Sequence, residues 1–234
     1  MLVSTHNPLN IGAAARAMSN FGCLHLRLVN PYKVAFREAR SAVGAAKLLA
    51  DAEEFDNVAA AVADCSLVVG TTAVRHRELQ HPLRRLEYGA RLIRKQQPSA
   101  RVALLFGSEK TGLSNDDLSH CHWLMHIATR EEHISMNLGQ AVAVCLYELV
   151  RDAKVKPERT KTKPASSGEL ELITISLFEA LQISGYVNPR LTESAEMKIR
   201  RMIRRLHLES DDAEIWLGML RQILWKLRST PNKA

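Results

Sequence analysis

A chain of 234 residues with 46% hydrophobic side chains can bury the core of one domain or of two unequal ones. None of its apolar runs reaches the roughly 20 residues of a membrane-spanning helix, and its start lacks the layout of a secretory leader, so a soluble cytoplasmic protein is expected. A net charge of +7 favours a polyanionic partner, most simply nucleic acid, and Cys23, Cys65, Cys121 and Cys145 are too scattered for a disulfide framework.

Met1-Leu2-Val3 reads as a first β-strand cut short at the start of the chain, with residues 4–8 as its exit loop. Residues 10–21 are predicted helical, with Ile11, Ala14, Ala15, Met18 and Phe21 on one face and Gly22 as the stop. Arg16 lies between those apolar positions, where a lone arginine most often anchors a helix at the surface. Residues 24–29 read as a strand, 41–49 and 57–63 as helices, and 66–70 as a compact buried strand opening onto Thr71-Thr72-Ala73. A helix over 86–94 precedes a central strand over 102–106.

That strand breaks into Gly107-Ser108-Glu109-Lys110-Thr111-Gly112-Leu113-Ser114. Two glycines five residues apart permit a tight loop whose N–H groups approach a nucleotide-like ligand. It is not a phosphate loop of the Walker type, which needs Lys then Ser or Thr after its second glycine; here Leu113 follows Gly112. A dinucleotide fold is disfavoured as well, because no Gly-x-Gly-x-x-Gly follows a strand and Asn30, not an acid, closes the second one. An ordinary strand-to-helix loop is the competing reading. Further on come a short helix over 116–121, a strand over 124–127 and a long helix from about Asn137 to 150. His120-Cys121-His122 alternates faces with no second ligand pair in sight, so no metal site is expected. Strands alternating with helices predict an α/β fold with a mostly parallel sheet.

Residues 151–167 read as a basic tether, with Lys154, Lys156, Arg159, Lys161 and Lys163 among prolines and serines. Three helical patterns follow. The first covers 169–184. The second sets Ala195, Ile199, Met202, Ile203 and Leu206 against Lys198, Arg200, Arg201, Arg204 and Arg205, and the third begins at Asp211-Asp212. The basic face of the second is either solvated or a phosphate-contacting surface.

Three stretches, Asn10 to Met18, Leu104 to Ser114 and Ile134 to Val142, resemble in order and spacing the three motifs of the SpoU/TrmH branch of the SPOUT RNA 2′-O-methyltransferases. The helical extension makes the chain most similar to the TrmJ subfamily of bacterial tRNA methyltransferases, and the resemblance covers nearly the whole sequence. It implies an α/β fold whose C-terminal half ties a trefoil knot, divided into a methyltransferase domain at 1–153, a basic linker at 154–168 and a helical tRNA-binding domain at 169–234. It implies S-adenosylmethionine as cofactor, held by Thr71, Thr72, Ala73, Gly107, Glu109, Gly112, Ile127, Ile134, Ser135 and Met136. Arg16, Asn10, Ser135 and Asn137 correspond to catalytic positions. Asn10 would orient the target nucleotide, Asn137 hold the knot loop and Ser135 sit near the 2′-oxygen, although each is equally suited to capping a helix. A guanidinium with a pKa above about 12 is a poor base, so Arg16 is expected to hold a phosphate and stabilise the forming alkoxide. The substrate implied is the ribose of cytidine or uridine 32 in the tRNA anticodon loop, and the implied assembly a homodimer that brings one subunit's arginine near the other's cofactor. Ser108 departs from the arginine common in TrmJ members and puts that residue's substrate contact in doubt. The alternatives are an rRNA 2′-O-methyltransferase, a non-catalytic RNA-binding relative, and a nucleotide hydrolase.

Overall fold

The computed structural model describes residues 1–32, 36, 45–73, 80–96, 100–151, 163–188 and 192–229. In chain order these form β1 (Leu2–Val3), α1 (Pro8–Asn20), β2 (Arg27–Val29), α2 (Ala46–Ala50), β3 (Glu53–Phe55), α3 (Val58–Val62), β4 (Leu67–Thr71), β5 (Leu83–Arg85) and α4 (Leu86–Gln96). There follow β6 (Val102–Leu105), α5 (Asn115–Ser119), β7 (Trp123–His126), a 3-10 turn (Glu131–His133), α6 (Leu138–Val150), α7 (Ser167–Ile183), α8 (Thr192–Arg205) and α9 (Ser210–Ser229). Every strand pair among the described residues is parallel, in two groups ordered β1-β2-β3 and β5-β7-β4-β6. Phe106, just beyond β6, joins the groups: it bridges Leu2, its carbonyl accepts the Val3 N–H at 2.8 Å, and its own N–H donates to the Met1 carbonyl at 3.0 Å. The joined order is β3-β2-β1-β6-β4-β7-β5.

Alternate strand residues feed two cores, as the two-residue period of a pleated sheet requires. Leu2, Leu28, Leu67, Val69, Trp123 and Met125 pack with α1, α4 and α6 on one face, while Val3, Val29, Val68, Ala103, Leu105 and Leu124 pack with α3 and α5 on the other. Each fully buried Leu or Ile contributes about 1.5–3 kcal/mol. A third core, around Leu170, Ile173, Ile203 and Leu220, holds α7, α8 and α9 together. No described helix is long and apolar enough to cross a membrane.

The elements depart from the sequence reading in identifiable places. Helix α1 starts at Pro8, because the Asn7 side chain accepts the Leu9 N–H at 2.9 Å, so Asn10 lies in the first turn and caps nothing. The short strands β3 and β5 carry Glu-Glu-Phe and Leu-Arg-Arg, edge strands with too little apolar alternation to stand out. Helix α7 begins at Ser167, behind a capping box of Ser166 and Glu169. Of the predicted helix over 41–49, residues 41–44 lie outside the described residues, as does the tether from 154 to 162. The largest departure is on α8: Arg200 and Arg204, assigned above to a solvated or phosphate-contacting face, are 7% and 1% exposed and point into protein.

Candidate functional site

β4, β6 and β7 are neighbours, so their carboxyl ends open at the same edge: β4 into Thr72-Ala73, β6 into Phe106-Gly107 and β7 into Ile127. Crevices outside the carboxyl ends of a parallel sheet are where such folds bind ligands. Here a cavity of about 810 Å³ is closed by the 107–113 loop, by residues 134–137 and by Leu138, Ala141 and Cys145 of α6. The loop folds back on itself so closely that a Cβ at Gly107 would stand 2.2 Å from the Gly112 carbonyl carbon and the Leu113 nitrogen. Gly112 takes φ +70° and donates its N–H to the Ser108 carbonyl at 2.8 Å, while the buried Ser108 hydroxyl accepts the Lys110 N–H at 3.3 Å. Ser108 therefore shapes the loop from within.

A hydrogen-bonded chain crosses the rim and links the three sequence motifs. The Asn137 amide donates to Asn10 Oδ1 at 2.8 Å, and the Asn10 amide donates to Glu109 Oε1 at 3.0 Å. Glu109 also accepts the backbone N–H groups of His6 and Asn7, at 3.3 and 3.2 Å. Burial by itself would raise the Glu109 pKa, but these donors and its own backbone N–H outweigh it and hold the carboxyl below its usual value. Asn137 Oδ1 meanwhile caps α6 by accepting the Gly139 N–H at 2.9 Å. Gly139 allows α1 and α6 to touch, since a Cβ there would lie 2.6 Å from that of Ala13.

The inner wall is apolar, with Met125, Ile127, Ile134, Leu138 and Ala141, and the strand ends present hydroxyls and backbone. The Thr71 hydroxyl donates to the Leu105 carbonyl at 2.8 Å, the Thr72 N–H donates to the Met125 carbonyl at 3.0 Å, and the Thr129 hydroxyl closes the 129–134 turn on the Ile134 carbonyl at 3.2 Å. Such a cavity suits a nucleoside-sized ligand: aliphatic faces for a flat base, peptide groups and hydroxyls for its edge and sugar.

Of the residues singled out from the sequence, Asn10, Thr71, Thr72, Ala73, Gly107, Glu109, Gly112, Ile127, Ile134, Ser135, Met136 and Asn137 all line this one cavity. Arg16 does not; it lies on the exposed face of α1 that also carries Leu9 and Ala13. Leu138, Ala141 and Cys145 line it too, although their helical spacing reads only as core, and nothing in the sequence marks Thr129. His120 and His122 do other work. His122 Nδ1 accepts the Val68 N–H at 3.1 Å and its ring stacks on His207, while the His120 carbonyl accepts Arg204 Nε at 2.9 Å. Burial, reinforced by Arg204, lowers the pKa of each to about 3.

Comparison with known proteins agrees with this geometry. Residues 1–147 match the SpoU rRNA Methylase family. The tRNA (cytidine/uridine-2′-O-)-methyltransferase TrmJ of Sodalis glossinidius is 36% identical over 231 residues, covering 95% of this chain and 89% of that protein. The TrmJ of Klebsiella pneumoniae is 36% identical over 232 residues, covering 95% and 94%. Among solved structures, TrmJ from Zymomonas mobilis ZM4 superposes with a TM-score of 0.82 at 33% identity, covering 95% of this chain and 97% of that one.

Proposed function

The chain belongs to the SpoU methylase family, and on that premise we propose that it transfers a methyl group from S-adenosylmethionine to the ribose 2′-oxygen of a cytidine or uridine in tRNA. The observation that carries the reading is the Glu109–Asn10–Asn137 chain, which ties residues about a hundred positions apart into the rim of one nucleoside-sized cavity.

The cofactor, when bound, supplies a methyl group on a sulfonium that already carries its own leaving-group activation, so the chemistry needs no metal. The protein must bring oxygen and methyl in line at about 3–3.5 Å and ease loss of the hydroxyl proton. Ile127, Ile134 and Leu138 would hold the apolar faces of the cofactor, and Thr71 to Ala73 with Gly107 would present peptide groups and hydroxyls to its polar parts. Ser135 and Asn137, exposed at the mouth, receive the target ribose. Arg16 acts on the neighbouring phosphate and on the alkoxide as it forms. Because Arg16 lies outside its own chain's cavity, we propose a homodimer in which the partner subunit's Arg16 completes the site. In support, α1 and α6 show Leu9 (79% exposed), Val144, Tyr147 (52%) and Val150 to solvent. The division into a domain at 1–153, a linker from 154 that ends before the packed Ala165 and the Ser166 cap of α7, and a helical tRNA-binding domain running to 234 belongs to the same proposal. So do a trefoil knot in the C-terminal half of the methyltransferase domain, a cytoplasmic location and position 32 of the anticodon loop as target.

Labelled methyl transfer to unmodified tRNA transcripts, with the modified nucleotide mapped and Arg16→Ala alongside, tests the reading. Label at the anticodon-loop ribose is the expected result. Transfer to rRNA alone would keep the chemistry and overturn the substrate, and cofactor binding without transfer to either would overturn both.

A further inference from the structure

Helix α8 reaches the segment 116–120, next to the cavity-lining Leu118, through two arginines one turn apart, and each makes contacts that few surface arginines make. Arg200 donates through Nε to both Glu171 oxygens at 3.0 and 3.1 Å, pairs with Glu196 at 2.6 Å, and donates through Nη1 to the Ser119 hydroxyl at 3.2 Å. It also faces Asp116 at 3.7 Å. Arg204 donates to the His120 carbonyl at 2.9 Å, stands 3.3 Å from the His120 ring nitrogen, and donates to Glu171 Oε2 at 3.4 Å. Desolvated charges are held in one geometry only where each finds its partners, so this joint fixes α7, α8 and the segment 116–120 relative to one another.

The segment it grips continues the glycine loop. Ser114, the last loop residue, caps α5 in a reciprocal box with Asp117, and Leu113 and Leu118, both buried, line the cavity. Only one residue separates Leu118 from the His120 carbonyl that Arg204 holds. The same C-terminal helices hold a second wall from behind. At the start of α7, Ser167 and Gly168 donate their N–H groups to the Cys65 and Ala63 carbonyls at 2.7 and 2.8 Å, just ahead of β4, whose far end is Thr71. Glu171, which receives both arginines, lies one turn further along α7.

We infer that Arg200 and Arg204 are positioning residues, through which the C-terminal helices set the floor of the cofactor cavity formed by Leu113 and Leu118. The inference rests on the reading that the cavity takes S-adenosylmethionine. It makes the helical extension part of the cofactor site as well as a contact for RNA.

The test compares, on the full-length protein, thermal unfolding with the Kd for S-adenosylmethionine and S-adenosylhomocysteine, every variant being read well below its own unfolding midpoint. Arg204→Met and Arg204→Lys break the grip on His120. Arg204→Met combined with Arg200→Met and Glu171→Met replaces the whole Arg–Glu–Arg cluster by apolar side chains of similar volume, an exchange that often restores stability. Leu220→Ala loosens the C-terminal core away from the joint. A tenfold weaker Kd is expected in all three Arg204 variants, the triple one included, with KM for S-adenosylmethionine raised and kcat at saturation within twofold of the parent. Leu220→Ala is expected to lower the midpoint and leave Kd alone. A parent-like Kd in any folded Arg204 variant, or a Kd that follows the midpoint through Leu220→Ala, overturns the inference. A parent protein that folds but does not bind S-adenosylmethionine overturns instead the reading beneath it.

Discussion

Two amphipathic helices carry arginine among apolar residues, and the fold uses them in opposite ways. On α1, Arg16 stays on the exposed face beside Leu9, where the proposed partner chain and RNA phosphate would meet it. On α8, Arg204 is 1% exposed and Arg200 7%, turned into the seam between the C-terminal helices and α5. Helical period does not separate the two cases, since Arg16, alone on α1, and Arg204, one of five basic residues on α8, each stand between apolar positions of an amphipathic helix. The difference is supplied from elsewhere: a guanidinium can be buried only where acceptors wait for it, and α8 is met by Glu171 from α7 and by the His120 carbonyl, 84 residues earlier in the chain. A basic helical face is thus no guide to an RNA surface until its neighbours are known.

Paired substitutions at these two places are the strongest way to break the contrast. Arg16→Ala is expected to lower methyl transfer by about 10³-fold, with cofactor affinity retained. Its cost in stability is expected to be no more than about 0.5 kcal/mol. Arg204→Ala should do the reverse in stability, costing about 3–5 kcal/mol in urea unfolding, because Glu171 and the His120 carbonyl lose a buried donor. If Arg204→Ala unfolds at the parent's urea midpoint, the contrast collapses.

A smaller effect separates the two glycines of the 107–113 loop. Gly107→Ala drives a Cβ to 2.2 Å from backbone and is expected to weaken S-adenosylmethionine binding about ten- to a hundredfold, the usual toll of overpacking. At Gly112, φ +70° strains an alanine but open space receives it, so about 1 kcal/mol of stability is the expected loss, with binding little changed. Calorimetric titration of both variants decides the order.

The histidines packed near α8 add a pH dependence. His120 and His122 are lowered from 6.5 to about 3 in the folded chain, so between those values the unfolded chain binds protons that the folded one excludes. Stability should be full above about pH 6.5 and fall on acidification by roughly 1.4 kcal/mol per pH unit per histidine. His122→Gln should remove one histidine's share of that slope in urea titrations at pH 7 and 5. An unchanged slope would mean His122 is not neutral in the fold. Smallest is the rim: Asn137→Ala loses the α6 cap, at about 1 kcal/mol, while Asn137→Ser keeps a capping oxygen and loses only the donor to Asn10. Thermal midpoints of the two variants separate cap from chain.

Local chemistry determined a good deal of this protein without help from the fold. Continuous apolar runs marked β4, β6 and β7, Gly107 and Gly112 marked the tight loop after β6, and Asn137 marked the start of α6, because apolar runs, glycine backbone freedom and capping act over a few neighbouring residues. The tertiary structure decided the rest. Only strand order brought the ends of β4, β6 and β7 to one edge, and only the approach of α1 to α6 let Asn10 bridge Glu109 and Asn137. The edge strands β3 and β5 were illegible because half-solvated strands need no apolar pattern. Arg200 and Arg204 were misread because the burial of a charge depends on partners that the sequence places far away, and no property of residues 192–205 taken alone records them.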